Sequence, residues 1–313
     1  MLLPHGVMFH HFHGGRHAPG QGSLSADGLH RLLDFLDPSR LLSAEEWLRH
    51  AMGGSLQPGM LCLTFDDGLK CQYDIAAPVL AERGLTAFFF VPSAVLEGGT
   101  LKLEIYRHVR HACFPSMETF YAAFEESLMR SPHASAAREA LHDFSPTSYL
   151  PALHYYTDAD RRFRFLRDRV LGQERYEEIM DRIVADCGPT GRVDLAALPA
   201  LLWMSPDDVR NLRRQGHVIG LHSHSHPTDI AALALPQQEE EYRRNRDCLS
   251  SLLDEHIVSM SHPCNAYSPA TLTILRSLGI RMGFRSMLEG GSTDPLELPR
   301  QDHAHVFAMM NAS

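Results

Sequence analysis

The stretch "WMSPDDVRNLRRQGHVIGLHSHSHP", residues 203–227, carries a strong fold signal because it joins a helix, a strand and a histidine cluster. Ser205 is an N-cap residue at the start of the predicted helix, and Gly216 ends that helix. The apolar run "VIGL" then predicts a buried strand, and polar residues follow it directly. This order is typical of folds in which parallel strands alternate with helices.

The same alternation of strands and helices occurs near the N-terminus, where "GVMFHHF", "GMLCLTF" and "TAFFFVP" are strand-like. We therefore predict an α/β fold in which residues 1–97 and 201–313 form one parallel sheet or barrel. Residues 98–200 read as helix-rich and lack strand-like runs, so we predict an insertion that serves as a cap or dimer surface. In parallel α/β folds, ligands bind at the carboxyl ends of the strands.

Composition and charge argue against several classes of protein. The net charge is −9 and no basic stripe is present, so nucleic acid is not an expected partner. No apolar stretch has the length of a transmembrane span. The six cysteines form no C-x-x-C pair, which indicates reduced thiols. The N-terminus lacks the features of a secretory signal, so we expect a cytoplasmic location.

Two adjacent aspartates, Asp66 and Asp67, follow the strand-like run "GMLCLTF". One interpretation is a turn, because Asp-Asp-Gly is ordinary loop chemistry and Gly68 can adopt a positive φ. The other interpretation is a catalytic pair. Neighbouring side chains of an extended chain point to opposite sides, so the two carboxylates are expected to have different partners and different roles.

The histidine cluster contains His222 and His226, which are separated by three residues. This spacing lets two imidazoles reach one metal ion from a turn or from the start of a helix. Two histidines and one carboxylate are a usual ligand set of a catalytic zinc, and they leave one position open for water. A solvated histidine-rich loop is the alternative interpretation.

The order "TFDDG" followed much later by "HSxxHP" resembles the polysaccharide deacetylase (NodB homology) family, carbohydrate esterase family 4. The resemblance covers roughly residues 5–97 and 200–305. It implies a distorted (β/α) barrel of the polysaccharide deacetylase type. It also implies a divalent metal on Asp67, His222 and His226, with Asp66 as the general base.

The third motif of that family, Arg-x-Pro-Tyr, is replaced here by "SHPC", residues 261–264. The backbone N–H of Cys264 remains able to bind an oxyanion, because that role needs no particular side chain. The resemblance therefore predicts Pro263 and Cys264 at the substrate site. Either Arg285 or Arg300 is expected to replace the missing arginine.

Histidines near the two ends of the chain are further candidates. The last motif of the family supplies a histidine, and "LPRQDHAHV" offers His303 and His305 as the general acid, with a polar tail as the alternative. The segment "FHHFHGGRH" ends the first predicted strand. His10 and His11 are therefore candidate substrate-binding residues, and a surface histidine loop is the alternative.

Together these features predict a metal-dependent carbohydrate N-deacetylase. The expected metal is zinc, with cobalt, nickel and manganese as alternatives. The expected substrate is an N-acetylated amino sugar, such as an intermediate of surface-polysaccharide biosynthesis, and a homo-oligomer is compatible with the sequence. Two other classes stay open: a non-haem iron oxygenase, which also uses two histidines and a carboxylate, and a non-catalytic carbohydrate-binding relative.

Overall fold

The computed structural model describes residues 3–151, 156–188, 193–289 and 292–312. The chain divides into two compact units, Met1–Leu101 with Pro199–Ser313, and Lys102–Leu198. The first unit contains all the strands of the described residues. No helix in these ranges combines the length and the apolar composition that a membrane span requires.

Seven parallel strands of the described residues form a nearly closed barrel, which confirms the predicted (β/α) barrel. In chain order they are β1 (His5–Phe9), β2 (Leu61–Phe65), β3 (Phe88–Val91), β4 (Val218–Leu221), β5 (Ser259–Ser261), β6 (Met282–Phe284) and β7 (Arg300–Asp302). They are hydrogen-bonded in the order β6-β5-β4-β3-β2-β1-β7. An isolated parallel bridge from Phe284 to Leu298, just before β7, brings the two edges together.

Helices connect the strands, and the second unit is inserted between β3 and β4. The α-helices of the described residues are α1 (Ala26–Phe35), α2 (Ala44–Met52), α3 (Ala77–Glu82), α4 (Lys102–Ala112), α5 (Met117–Met129), α6 (Ala134–His142), α7 (Asp158–Phe165), α8 (Gly172–Cys187), α9 (Leu198–Leu202), α10 (Pro206–Arg214), α11 (Leu235–Leu253), α12 (Pro269–Ser277) and α13 (His303–Ala312). Two π-helical segments, Gln72–Ala76 and Leu166–Leu171, precede α3 and α8. Short 3-10 turns lie at Pro38–Arg40, Ala94–Glu97, Pro146–Ser148, Ile230–Ala232, Pro263–Asn265 and Pro295–Glu297.

Helix α10 forms as its sequence predicts. The hydroxyl of Ser205 accepts a hydrogen bond from the N–H of Asp208, and the Asp208 carboxylate accepts from the N–H of Ser205, which completes a capping box. The helix ends before Gly216, whose φ is +90°. A residue with a side chain is strained in that conformation, so glycine is the residue that turns the chain into β4.

The longer strands are buried along their whole length. Every residue of β1, β2, β3 and β4 is buried, which explains why these strands read as continuous apolar runs rather than as alternating ones. The barrel interior is crowded, because a Cβ on Gly220 would lie 2.5 Å from the ring of Phe90. A Cβ on Gly6 would lie 3.2 Å from Cγ of Arg300, so this glycine leaves room for the arginine.

The second unit has a core of its own. Ring contacts join Phe120, Phe124, Phe163 and Tyr176 from helices α5, α7 and α8. No strand occurs among the residues of this unit that the structure describes. Its role as a cap or dimer surface stays a prediction.

Candidate active site

Polar side chains meet where four parallel strands of the barrel end. Asp66 and Asp67 follow β2, His222 follows β4, Ser261 is the last residue of β5, and His10 follows β1. Asp66, Asp67, His222 and Ser261 are themselves buried, whereas His10 is half-buried. The carboxyl edge of the barrel is therefore the candidate site, as parallel α/β folds predict.

Asp67, His222 and His226 form a triangle of potential metal-binding atoms. Oδ1 of Asp67 lies 3.3 Å from Nε2 of His222 and 3.2 Å from Nε2 of His226. One ligand atom from each residue lies within 4.8 Å of the others. Ligand atoms that are about 2.0–2.2 Å from a tetrahedral zinc are roughly 3.3–3.6 Å apart, so the two distances match such a site.

The tautomer of His222 is set by a hydrogen bond on the far side of its ring. Nδ1 donates to the carbonyl oxygen of Ser261 at 2.9 Å, since a carbonyl can only accept. A protonated ring would donate from Nε2 to the Asp67 carboxylate, whereas in the neutral ring Nε2 presents a lone pair towards that carboxylate. Two acceptors face each other in this arrangement, which a cation between them would satisfy, and proteins orient metal-binding histidines in the same way.

The charges around Asp67 keep its carboxylate ionised. Burial alone would raise the pKa of Asp67, but the imidazoles of His222 and His226 outweigh it and hold that pKa well below its usual range. Burial lowers the pKa of His226, whereas Asp67 raises it, and the net shift is upwards. A carboxylate that is ionised and held by two imidazoles fits a divalent cation.

The backbone that carries these ligands is unusual at two turns. Asp67 has a φ of +76° and is followed by Gly68 at +60°, and Ser223 and His226 have φ values of +58° and +53°. Residues other than glycine in this region cost about 1–3 kcal/mol each. The carboxylates of Asp66 and Asp67 have different partners, as expected from the sequence. The cause is the left-handed conformation of Asp67 rather than an extended chain.

Asp66 is held by Arg300, which reaches across the barrel from β7. Nη1 and Nη2 of Arg300 donate to the two carboxylate oxygens at 2.7 and 2.8 Å. The remaining N–H groups of Arg300 donate to Ser261 Oγ, Thr64 Oγ1 and the carbonyl of Arg285. All five guanidinium donors are therefore used, and both members of the ion pair are buried.

Burial alone would raise the pKa of Asp66, but the Arg300 guanidinium outweighs it and lowers that pKa. Asp66 is therefore ionised at neutral pH. Ser261 also donates from its hydroxyl to Oδ2 of Asp66 at 3.0 Å. Of the two arginines considered from the sequence, Arg300 contacts Asp66. Nη2 of Arg285 donates instead to the carbonyl of Leu288.

The candidate substrate residues lie around this site. Burial lowers the pKa of His10, although the nearby carboxylates of Asp67 and Asp66 oppose the shift, so its imidazole is neutral at neutral pH. The His11 ring stacks on that of His10, with 6.2 Å between their centroids. Pro263 is buried, and Cys264 is exposed with a φ of +51°.

His303 and His305 are placed differently from each other. His303 is buried at the start of α13, with its ring nitrogens 3.3 and 3.0 Å from the carbonyl oxygens of Met8 and Gly22. His305 is exposed on the same helix. Within the described residues, neither His303 nor His305 forms a hydrogen bond or an ion pair with Asp66 or Asp67. The general-acid role stays a prediction.

Sequence reasoning missed the part played by Ser261. It occupies the arginine position of the third motif, accepts from Arg300 at 2.7 Å and supplies the carbonyl that orients His222. The loss of the motif arginine was a signal that another residue must hold Asp66. The replacement could not be identified from sequence alone, because Arg300 lies 234 positions from Asp66.

Part of the chain is similar to a known protein family. A family model described as polysaccharide deacetylase matches residues 179–283, which include His222, His226 and the altered third motif. A search of curated proteins gave no match. Residues 179–283 thus match a polysaccharide deacetylase model, which confirms the resemblance that the two motifs indicated.

Solved structures show the same fold. The deacetylase PplD of Streptococcus pyogenes, in complex with acetate, is 15% identical with a TM-score of 0.56, over 96% of this chain and 92% of that chain. IcaB from Ammonifex degensii is 17% identical with a TM-score of 0.52, over 99% and 97%. The BpsB deacetylase domain of Bordetella bronchiseptica is 13% identical with a TM-score of 0.53, over 96% of both chains.

Proposed function

We propose that this protein hydrolyses the acetamide of an N-acetylated amino sugar, with a divalent metal held by Asp67, His222 and His226. The observation that carries the proposal is the grouping of Asp67, His222 and His226 beside a second carboxylate, Asp66, that is paired with Arg300. Zinc is the proposed metal because two imidazoles and one carboxylate are its usual catalytic ligands. Cobalt, nickel and manganese are the alternatives. The match to a deacetylase family supports the carbohydrate substrate.

The metal would supply Lewis acidity, which makes a water molecule more acidic and an amide carbonyl more electrophilic. Asp66 would act as the general base. Its Oδ2 already accepts hydrogen bonds from Ser261 and Arg300, whereas Oδ1 accepts one, from Arg300, among the described residues. A lone pair on Oδ1 is thus available to take the proton of the attacking water.

Other residues of the site would orient the substrate. The backbone N–H of Cys264 is proposed to bind the developing oxyanion, beside Pro263 at the end of β5. His10 and His11 would line the sugar site at the end of β1. His303 or His305 would protonate the leaving amine. The proposed biological substrate is a precursor of a surface glycan.

An acetate-release assay tests this proposal. The protein is stripped with a chelator, reloaded with zinc or cobalt, and incubated with N-acetylated amino sugars and their oligomers. We expect acetate and free amine in equal amounts, lost on chelation and restored by the metal. If the protein binds the sugar but releases no acetate with any of the metals, the non-catalytic relative is favoured. Oxygen consumption with iron and a 2-oxo acid would favour the oxygenase, although this parallel barrel differs from the double-sheet barrel typical of that class.

A further inference from the structure

We propose that helix α11 positions the metal-binding histidines through two side chains, Glu241 and Asn245. The segment His222–His226 is called the histidine loop. The inference rests on the proposed metal site, but it concerns residues that lie outside the ligand triangle and in neither of the two sequence motifs. Glu241 and Asn245 are four positions apart, so they lie on one face of α11.

Glu241 holds the middle of the histidine loop through three hydrogen bonds. Its Oε2 accepts from the backbone N–H groups of His224 and Ser225 at 3.0 and 2.8 Å. Its Oε1 accepts from the hydroxyl of Ser225 at 2.7 Å. Hydrogen bonds to an ionised carboxylate are shorter and stronger than those between neutral groups. One side chain therefore fixes two consecutive peptide units between the two metal-site histidines.

Asn245 holds the first residue of the same loop. Its Oδ1 accepts from the backbone N–H of His222 at 2.8 Å, and its Nδ2 donates to the carbonyl of Val91, the last residue of β3, at 2.9 Å. Asn245 is fully buried. The side-chain amide thus links the end of β3 to the end of β4 and fixes the position of the His222 backbone.

The loop needs such support because its conformation is strained. Ser223 and His226 both have left-handed φ values, which residues other than glycine adopt only when their surroundings hold them there. The imidazole of His224 lies 2.9 Å from the hydroxyl of Ser93, so it anchors the loop. The backbone N–H of His226 donates to Ser223 Oγ within the same loop. Glu241 would therefore stabilise the one arrangement that brings both histidines to Asp67.

Metal affinity is the readout that tests this role. Purified wild type, Glu241→Ala, Glu241→Gln and Glu240→Ala are titrated with zinc against a chromophoric chelator, and the visible spectrum of each cobalt-loaded protein is recorded. Glu240 is the matched control, because it lies on the exposed side of α11 and pairs with Arg243. We expect Glu241→Ala to bind zinc about 10–100-fold more weakly than wild type. Glu241→Gln should lose less affinity, and Glu240→Ala none.

The outcomes separate this inference from the proposed function. Wild-type zinc affinity and an unchanged cobalt spectrum in Glu241→Ala would overturn the positioning role while leaving the metal site in place. If Glu241→Ala fails to fold, wild-type affinity in Glu241→Gln would overturn it equally. A wild type that binds no metal would instead overturn the proposed metal site and this inference with it. Recovery of turnover in Glu241→Ala at saturating zinc would support a role through the metal ligands.

Discussion

At the scale of single residues, the two adjacent aspartates differ in what holds them. Asp67 contacts two imidazoles, whereas Asp66 forms a bidentate pair with the buried guanidinium of Arg300. A buried carboxylate is costly unless it is paired and hydrogen-bonded. Arg300 and Ser261 satisfy Asp66 in this way, and the pair keeps the proposed base ionised and fixed.

Replacing Arg300 should therefore destabilise the barrel as well as the site. In Arg300→Ala the Asp66 carboxylate is buried without a partner, and we expect the free energy of unfolding to fall by about 3–5 kcal/mol. Urea unfolding followed by tryptophan fluorescence measures this, because the only tryptophans, Trp47 and Trp203, lie in the barrel unit. Arg300→Lys should also be impaired, since an ammonium group cannot replace five N–H donors in a planar fork.

The double variant Arg300→Ala with Asp66→Asn serves as the control for this prediction. It removes both charges, so it should be less destabilised than Arg300→Ala alone. Unfolding of Arg300→Ala within about 1 kcal/mol of wild type would contradict the account, because a surface pair contributes no more than that.

Sequence alone predicts the residues of this site that belong to short motifs. Asp66, Asp67, His222 and His226 stand beside apolar strands, and their residue types and spacing indicate metal chemistry. Arg300 could be predicted only as one of two arginines, because its contact with Asp66 depends on how the barrel closes. Ser261 and Asn245 act through hydrogen bonds that no local pattern encodes.

At the scale of elements, a buried histidine joins the starts of β3 and β4. Nδ1 of His217 accepts a hydrogen bond from the N–H of Ala87 at 3.1 Å, and its ring meets the ring of Phe89 edge-on. Burial lowers the pKa of His217 from 6.5 to about 4. The folded protein therefore keeps this histidine neutral, whereas the unfolded chain takes up a proton below pH 6.5.

This difference makes the barrel less stable in acid. Because the folded-state pKa is lowered, the contribution of His217 is present above pH 6.5 and is lost as the pH falls towards about 4. Between pH 7 and pH 5 the loss should be about 2 kcal/mol. In His217→Asn the amide oxygen can still accept from Ala87, so that part of the pH dependence should disappear.

Urea unfolding of metal-free protein at several pH values, followed by tryptophan fluorescence, measures the effect. His142→Asn is the control, because His142 is exposed and lies in the other unit. An equal loss of stability in acid for wild type and His217→Asn would contradict the assignment.

Elements were predictable where their sequence pattern is strong. Strands β1 to β4 are buried along their whole length and mostly apolar, and α1 and α10 have clear N-caps and apolar faces. The short strands β6 and β7 were not predicted. β7 has the sequence "RQD", and its three residues become a strand only because β1 offers a free edge beside them. Such pairing depends on tertiary structure rather than on local propensity.

At the scale of the whole molecule, the barrel brings together residues that are far apart in sequence. Asp66 follows β2, His222 follows β4, and Arg300 starts β7. Arg300 pairs with Asp66, and Nε2 of His222 lies 3.9 Å from Oδ2 of Asp66. The bridge from Phe284 to Leu298 brings β7 close to β6, so that Arg300 can reach Ser261 and Asp66 inside the barrel. The alternation of elements predicted an α/β fold and the family resemblance predicted a barrel, but neither identified β7 as the strand that closes it.

The central claim is that Asp67 holds the metal and Asp66 accepts a proton, and a paired measurement on Asp66→Asn and Asp67→Asn tests it most directly. Metal content by mass spectrometry and acetate release are measured on the same preparations, with folding checked by tryptophan fluorescence. We predict that Asp67→Asn loses most of its metal, because a neutral ligand replaces an anionic one. Asp66→Asn should keep its metal and lose turnover by about 10²–10⁴-fold, because an amide cannot accept the proton of water. Full activity in Asp66→Asn, or full metal occupancy in Asp67→Asn, would contradict the account.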